Sequence, residues 1–488
     1  MGASAAKRRR LRIAIIGAGP GGLCAAIRLK QEGFDDFVLI EKAAGLGGTW
    51  FHNRYPGCAC DVQSHLYSFS FEPNLSWSRP YARQPEILAY LEQCAATHDI
   101  GPHCRFETAV EQARWDEDRA QWSLTLSTGD TIDADVVVSA VGMFNELAYP
   151  PVVGIDDFAG TCIHSARWDW DHDLTAERVG IIGSAASAVQ LMPEVAKVAE
   201  QVHLFQRTAN WVLPKEDTPF TEAELEHFRT TPAAARELRQ QIYSNFEIGS
   251  TFSNQAVLAD RETVGLAAID EVVDPEVRAA LRPQHPFGCK RPLFSNDFYA
   301  AFNRTNVELV TSSIDHITES AVVTDDGKTR PVDTLVFATG FETTKFLSTI
   351  DVVGRGGRRL SDAWNDGAQA YLGITTAGFP NLFMLYGPNT NNGSIIEMIE
   401  HQVHHTLAHL ERLVADDLAW VDVRPEVMEK YNDEIQREID GVAVWQAGCN
   451  TYYRTPSGRV VTQWPLSMKG YGERTETPDE AAFEAAAR

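Results

Sequence analysis

The stretch Leu11 to Leu23, LRIAIIGAGPGGL, restricts this chain more than any other. Four apolar residues, Ile13 to Ile16, run straight into Gly17, Gly19 and Gly22. The run predicts a strand buried on both faces. The glycines predict a tight turn into a helix carrying Leu23, Ala26 and Ile27. Gly17 permits the turn, Gly19 lets a pyrophosphate approach the backbone, and Gly22 lets helix and strand pack closely. The helix N-terminus offers unpaired N–H groups to the phosphates. Glu41 ends the next apolar run, FVLIE, about 20 residues beyond Gly22, where a ribose-binding acid belongs. An acid there suits an unphosphorylated ribose, as in FAD or NAD. The alternative is a glycine turn without a ligand, but strand, helix and acid together favour a dinucleotide site.

At 488 residues the chain exceeds what one core ordinarily organises, so two or three domains are expected. A net charge of -24 argues against nucleic acid, which requires a basic face. The basic run Lys7-Arg8-Arg9-Arg10 reads as a solvated tail before the first strand rather than a targeting signal. There is no window of about 18 apolar residues, so no membrane span is expected. No apolar region precedes Leu11, so secretion is not expected either. The eight cysteines lack a paired C-x-x-C pattern, and Cys58 and Cys60 have poor zinc spacing. Free thiols in a reducing cytoplasm are the expectation, with no metal site.

Further along, WSLTLSTGDTIDADVVVSAVG reads as a hairpin returning to the sheet, its last strand running from Ala134 to Gly142. Tyr149-Pro150-Pro151 reads as a linker. Arg178 to Gln190 then repeats strand, turn and helix with the pattern Gly183-x-Ala185-x-x-Ala188. Alanine is common at the third position, but a methyl at Ala185 stands where backbone should approach a pyrophosphate. Ser184 and Ser187 offer compensating hydrogen bonds; a degenerate repeat that no longer binds nucleotide is the alternative. Arg207 follows the next strand, where the first fold has Glu41. Arginine pairs with a phosphate, which favours NADPH over NADH. Residues 216 to about 285 change to helical composition, either shaping a substrate pocket or buttressing the fold. Lys290-Arg291 precedes a segment that ends in DTLVFATGF, Asp333 to Phe341. His401, His405 and His409 share one helical face, read as a polar stripe on a surface helix because no H-E-x-x-H zinc pattern is present. Glu473 to Arg488 reads as a loose tail.

Several of these segments resemble one family. GGTW followed by NRYPG-x-x-CD, Gly47 to Asp61, is similar to the flavin-proximal loop of the class B flavoprotein monooxygenases, specifically the type I Baeyer–Villiger monooxygenases. SFSF, Trp77, Tyr81 and the helix from Gln84 are similar too. Phe158, Gly160, His164, Trp168 and Asp169 fit the family fingerprint F-x-G-x-x-x-H-x-x-x-W-[P/D]; relatives that oxidise amines and sulfides usually carry Phe or Tyr at Trp168.

The resemblance implies an α/β fold with two Rossmann-like dinucleotide-binding domains, for FAD and NADPH, and a helical insertion. The expected division is residues 1–145 and 342–488 for the FAD domain, 146–215 and 287–341 for the NADPH domain, and 216–286 for the insertion. It implies Arg291 as the catalytic arginine, supported by Asp61, with His164 a linker residue rather than a proton donor. The cofactor-binding set expected is Gly17, Gly19, Gly22, Glu41, Gly48, Thr49, Trp50, Asp61, Tyr67, Gln84 and Asn389 with Gly183, Ser184, Ser187, Arg207, Thr208 and Lys290. It implies oxygen insertion beside a ketone carbonyl, with dioxygen and NADPH, through a C4a-peroxyflavin, giving an ester or lactone. Rival readings are an N- or S-oxygenating flavin monooxygenase, a disulfide-reductase-like flavoprotein using Cys58 and Cys60, and a non-catalytic flavin-binding protein.

Overall fold

The computed structural model describes residues 10–449 and 451–488. Arg10 is exposed, while Lys7 to Arg9 lie outside the described residues. Ile13–Ile16 is buried throughout and has strands at both its edges. Phe37–Ile40 pairs on one side and Val136–Ser139 on the other, both parallel. Leu382–Met384 and Cys104–Arg105 complete this five-stranded parallel sheet. The first sheet is therefore built from both ends of the chain.

A second parallel sheet repeats the plan. Arg178–Ile182 is central, flanked by Gln201–Phe205 and Thr334–Phe337, with Val307–Val310 and Thr161–His164 at the edges. The two turns match in detail. Gly17 has φ +103° and a Cβ there would lie 2.7 Å from the Ala140 carbonyl oxygen. Gly183 has φ +110° and a Cβ would lie 2.5 Å from that of Ala338. Both positions thus require glycine for conformation and for space. Parallel strands with buried apolar runs and glycine turns are what the sequence predicts.

The hairpin is present as an antiparallel meander, Val110–Asp116, Gln121–Leu126 and Thr131–Ala134, before the chain re-enters the first sheet. Residues 216–286 carry four helices, Glu222–Thr230, Pro232–Gly249, Gln255–Ile269 and Pro275–Ala280. Thr221 and Glu224 start the first with a reciprocal capping box. No helix among the described residues is long and apolar enough to cross a membrane.

Three expectations are corrected. The histidine face of Ile395–Ala415 is not a surface stripe: His405 and His409 are 1% and 0% exposed. His405 Nδ1 meets the Thr475 carbonyl at 3.0 Å and the His409 ring packs on Phe483 at 4.3 Å. Burial pushes His405 down to about 4, so the imidazole is neutral. The second correction explains the first. The chain beyond Glu473 is not a loose tail; Phe483–Ala487 pairs antiparallel with Leu418–Val423 and covers the histidines. Third, Cys289 and Cys449 form a disulfide across 160 residues, with Cα atoms 6.1 Å apart. Sequence spacing does not reveal that two such distant segments meet. The other six cysteines are free thiols.

Candidate active site

One cavity of about 700 Å³ lies between the two nucleotide folds. Its lining includes Gly17, Gly19, Glu41, Gly48, Thr49 and Trp50 from the first fold and Ala185 and Ser187 from the second. At its floor the backbone of the first turn meets the loop before the helix Thr49–His52. A Cβ on Gly48, whose φ is +55°, would lie 2.7 Å from Gly19 Cα. Bare backbone on both sides lets a phosphate chain approach without a side chain in the way, so the residues present fit a dinucleotide. Gly19 also caps the helix Pro20–Gln31 with no side-chain bond, leaving the first amides available.

Glu41 is buried and its carboxylate accepts hydrogen bonds from Ala18 N at 2.7 Å and Ala43 N at 2.8 Å. It fixes the glycine turn as well as facing the cavity. Trp50 Nε1 donates to the Tyr67 hydroxyl at 3.0 Å, and both side chains line the cavity. Gln84 does not line it. Its amide donates to the Trp50 carbonyl at 2.5 Å and so holds the tryptophan from behind. Asn389 is also absent from the lining; its amide donates to the carbonyls of Val460 and Gln463, both at 3.0 Å. Asn391, two residues on, does line the cavity.

The loop Asn53 to Asp61 leans on the second fold. Gln190, on the helix Ala186–Val195, accepts from the Tyr55 hydroxyl at 2.9 Å and donates to the Ala59 carbonyl at 3.0 Å. Asp61 ends this loop. Its Oδ2 accepts from Arg291 Nε at 3.0 Å and Nη2 at 2.6 Å. Asp61 holds the guanidinium well above its ordinary value, so Arg291 is charged at any working pH. Both side chains line the cavity, and their partial exposure is toward it.

Beside the second turn, Ser184 Oγ donates to the Thr208 carbonyl at 3.3 Å. Arg207 is exposed and lies near Lys290. Burial, then the Arg207 charge, lowers the Lys290 ammonium from its usual value. Neither cation has an ion-pair partner among the described residues, an arrangement suited to a phosphate. Ser184, Arg207, Thr208 and Lys290 lie outside the main cavity lining, at its second-fold end. Ala185 adopts extended backbone, φ −93° and ψ −161°, nearly that of Gly19 at φ −75° and ψ −173°. Its methyl therefore leaves the turn's shape intact.

The fingerprint residues do not line the cavity. Phe158 is buried in the second fold's core, and Gly160 packs so tightly that a Cβ would lie 2.2 Å from the Asp333 carbonyl oxygen. His164 is buried beside Ala148 and Gly340, its Nδ1 accepting from Ala166 N at 3.1 Å. Trp168 is buried and Asp169 exposed. Trp170, which the sequence reading passes over, bridges the folds by donating to the Arg54 carbonyl at 2.8 Å.

None of residues 216–286 lines the cavity. Instead Arg239 donates to the carbonyls of His65, Leu66 and Ser68 at 3.0, 3.0 and 2.8 Å and pairs with Glu397 at 2.5 Å. The insertion thus buttresses the loop that carries Tyr67. Cys58 and Cys60 are buried at the cavity wall, and burial pushes Cys58 up to about 12, against any reactive thiolate. Gln190, Tyr386 and Tyr452 are lining residues the sequence reading misses. Only the repeat's helical periodicity gave a signal, and only for Gln190.

Two parallel nucleotide sheets facing one cavity, with a guanidinium and no reactive thiol pair, define a flavin- and pyridine-nucleotide-dependent oxidoreductase. The family model for pyridine nucleotide-disulphide oxidoreductases matches residues 14–237. A Baeyer–Villiger monooxygenase of Pseudomonas aeruginosa is 42% identical over 98% of this chain and 92% of its own length. A steroid monooxygenase structure bound to NADP superposes with TM-score 0.88 at 31% identity, covering 98% of this chain and 100% of that one. The structure of OTEMO with FAD and NADP gives 0.87 at 28% identity, covering 98% and 100%. The chain belongs to the type I Baeyer–Villiger monooxygenase family, a family of flavin-dependent monooxygenases.

Proposed function

We propose that this protein inserts one oxygen atom of O2 next to a ketone carbonyl, giving an ester or lactone. Ketone, O2, NADPH and a proton yield ester, water and NADP+. The observation that carries this reading is the Arg291–Asp61 pair, set on the wall of a cavity between two nucleotide folds.

FAD supplies the oxygen chemistry at its C4a position once NADPH has reduced it. The first turn, Gly48, Thr49, Trp50 and Glu41 hold FAD. Gly183, Ser187, Arg207 and Lys290 hold NADPH, the two cations at its 2′-phosphate. Arg291 places a permanent positive charge where the oxygenating anion and the attacked carbonyl gather negative charge. Asp61 fixes the orientation of that guanidinium without neutralising its remaining N–H donors. Gln190 keeps the Asp61 loop seated on the second fold, so the pair stays at the junction where both cofactors would be held. The rings of Trp50, Tyr67, Tyr386 and Tyr452 give the cavity an aromatic wall that disfavours water.

The test is NADPH oxidation against a panel of cyclic and linear ketones and a thioether, with product mass. One added oxygen on a ketone, at one NADPH per product, supports the reading. Oxygenation of the thioether alone points to the N- or S-oxygenating alternative. A yellow protein that consumes no oxygen with NADPH defeats the enzymatic reading altogether.

A further inference from the structure

We propose that Asp217 is a positioning residue for the Arg291–Asp61 pair, joining the segment that carries the guanidinium to the one that supports the carboxylate; this rests on the ketone reading above. Asp217 does not line the cavity, and neither do Arg79, Tyr81 or Lys215 around it. Its effect on the chemistry therefore passes through other residues.

One link runs toward Arg291. Val212–Leu213 pairs with Leu293–Phe294, which starts two residues beyond Arg291. Ser295 N donates to the Leu213 carbonyl at 3.0 Å. Lys215 N donates to Asn296 Oδ1, and Asn296 Nδ2 donates to the Lys215 carbonyl, both at 2.9 Å. The chain up to Lys215 is thus bonded along the segment that leaves Arg291, and Asp217 follows two residues later.

The other link runs toward Asp61. Asp217 Oδ1 accepts from Tyr81 N at 3.2 Å, and Oδ2 pairs with Arg79 Nη1 at 3.4 Å. Lys215 Nζ lies 3.7 Å from the same Oδ2 and 4.9 Å from the centre of the Tyr81 ring. The carbonyl of Ala82, the next residue, accepts from Cys60 N at 3.0 Å, and Gln84 N donates to the Cys58 carbonyl at 2.9 Å. Cys60 directly precedes Asp61.

These contacts close a ring. It runs from Arg291 to Asp61, through Cys60 to Ala82 and Tyr81, across to Asp217, and back through Lys215 and Asn296. Asp217 is the side chain that closes it between Tyr81 and Lys215. The side chains of Asp217 and Lys215 are only 11% and 10% exposed, so salt screens their pairing little. Neither Arg79 nor Lys215 has another ion-pair partner among the described residues. Opening the ring lets Asp61 and Arg291 drift relative to each other, and a misplacement of about 1 Å can cost about 10²-fold in rate.

The experiment compares FAD-loaded wild type with Asp217→Ala, Asp61→Ala and the double variant. It measures ketone kcat, NADPH KM, hydrogen peroxide released per NADPH, and amide hydrogen exchange. Asp217→Ala is expected to lower ketone kcat about 10- to 100-fold at constant NADPH KM. More NADPH should then be spent without ester, NADPH, O2 and a proton giving NADP+ and hydrogen peroxide. Exchange should quicken in residues 58–61 and 79–84 and stay unchanged in the two parallel sheets. The double variant should lose no more kcat than Asp61→Ala alone, because Asp217 acts through the pair. Losses that multiply assign Asp217 a general structural role and overturn the proposal. Unchanged ketone kcat, or unchanged exchange at residues 58–61, also overturns it. Where Asp217→Ala does not fold, Asp217→Asn takes its place in the same cycle. It keeps an oxygen for Tyr81 N and drops the charge, and its loss must likewise vanish beside Asp61→Ala. Wild-type ketone turnover is the control. Its absence overturns the functional reading, whereas its presence with multiplying losses overturns this inference alone.

Discussion

Arg291 and Asp61, 230 positions apart, meet through one carboxylate oxygen, which accepts from both Nε and Nη2 of the guanidinium. Asp61 closes a loop of the first nucleotide fold, and Arg291 leads into Leu293–Phe294, which pairs with Val212–Leu213. The pair therefore exists only while the two folds stay docked. Removing the cation should leave FAD in place, because the residues proposed to hold it are others. Arg291→Ala is expected to bind FAD normally and lose about 10²- to 10³-fold in ketone oxygenation. Flavin absorbance and product mass check this; full lactone formation by the variant would be decisive against the role.

The second cation site, proposed for the 2′-phosphate of NADPH, gives a test with two nicotinamide cofactors. Arg207 lies near Lys290, and neither has a carboxylate partner among the described residues. Losing a charge-assisted hydrogen bond costs about 1.5–3 kcal/mol. Arg207→Ala should accordingly raise the NADPH KM about 10- to 100-fold and leave the NADH KM nearly unchanged. Equal effects on both cofactors would remove the phosphate role.

Arg239 anchors the helical insertion to three carbonyls and Glu397, both side chains being mostly buried. Arg239→Ala leaves Glu397 with only His401, 3.8 Å away, and is expected to cost about 3 kcal/mol in urea unfolding. It should also weaken ketone turnover, since the carbonyls of the segment around Tyr67 lose their anchor. A variant as stable as wild type would show that the insertion is not a buttress.

Asp422 provides a pH test far from the cavity. It lies opposite Glu484 across the strands Leu418–Val423 and Phe483–Ala487, and burial pushes its carboxyl up to about 7. In the unfolded chain the same carboxyl titrates near 4. The native state thus binds the extra proton between about pH 4 and pH 7, and its contribution to stability falls as pH rises through that window. Asp422→Asn removes this dependence. From pH 5 to pH 8 wild type should lose melting temperature relative to the variant; parallel profiles would rule the account out.

The local pattern at Leu11–Leu23, and its repeat at Arg178–Gln190, determined two buried strands, two glycine turns and two helices, because each requirement is met within about a dozen residues. The NRYPG-x-x-CD loop and the fingerprint at His164 carried the family in the same local way. Pairings across the chain were decided elsewhere. The burial of His405 and His409 depended on where residues 476–488 return, and the Cys289–Cys449 bond on two loops meeting after 160 residues. The insertion's role as a buttress followed from Arg239 reaching carbonyls more than 170 residues back. Periodicity and motif spacing encode contacts made along one element. Which residues share the cavity with Arg291 is set by the docking of two sheets, and that is fixed only when the whole chain has packed.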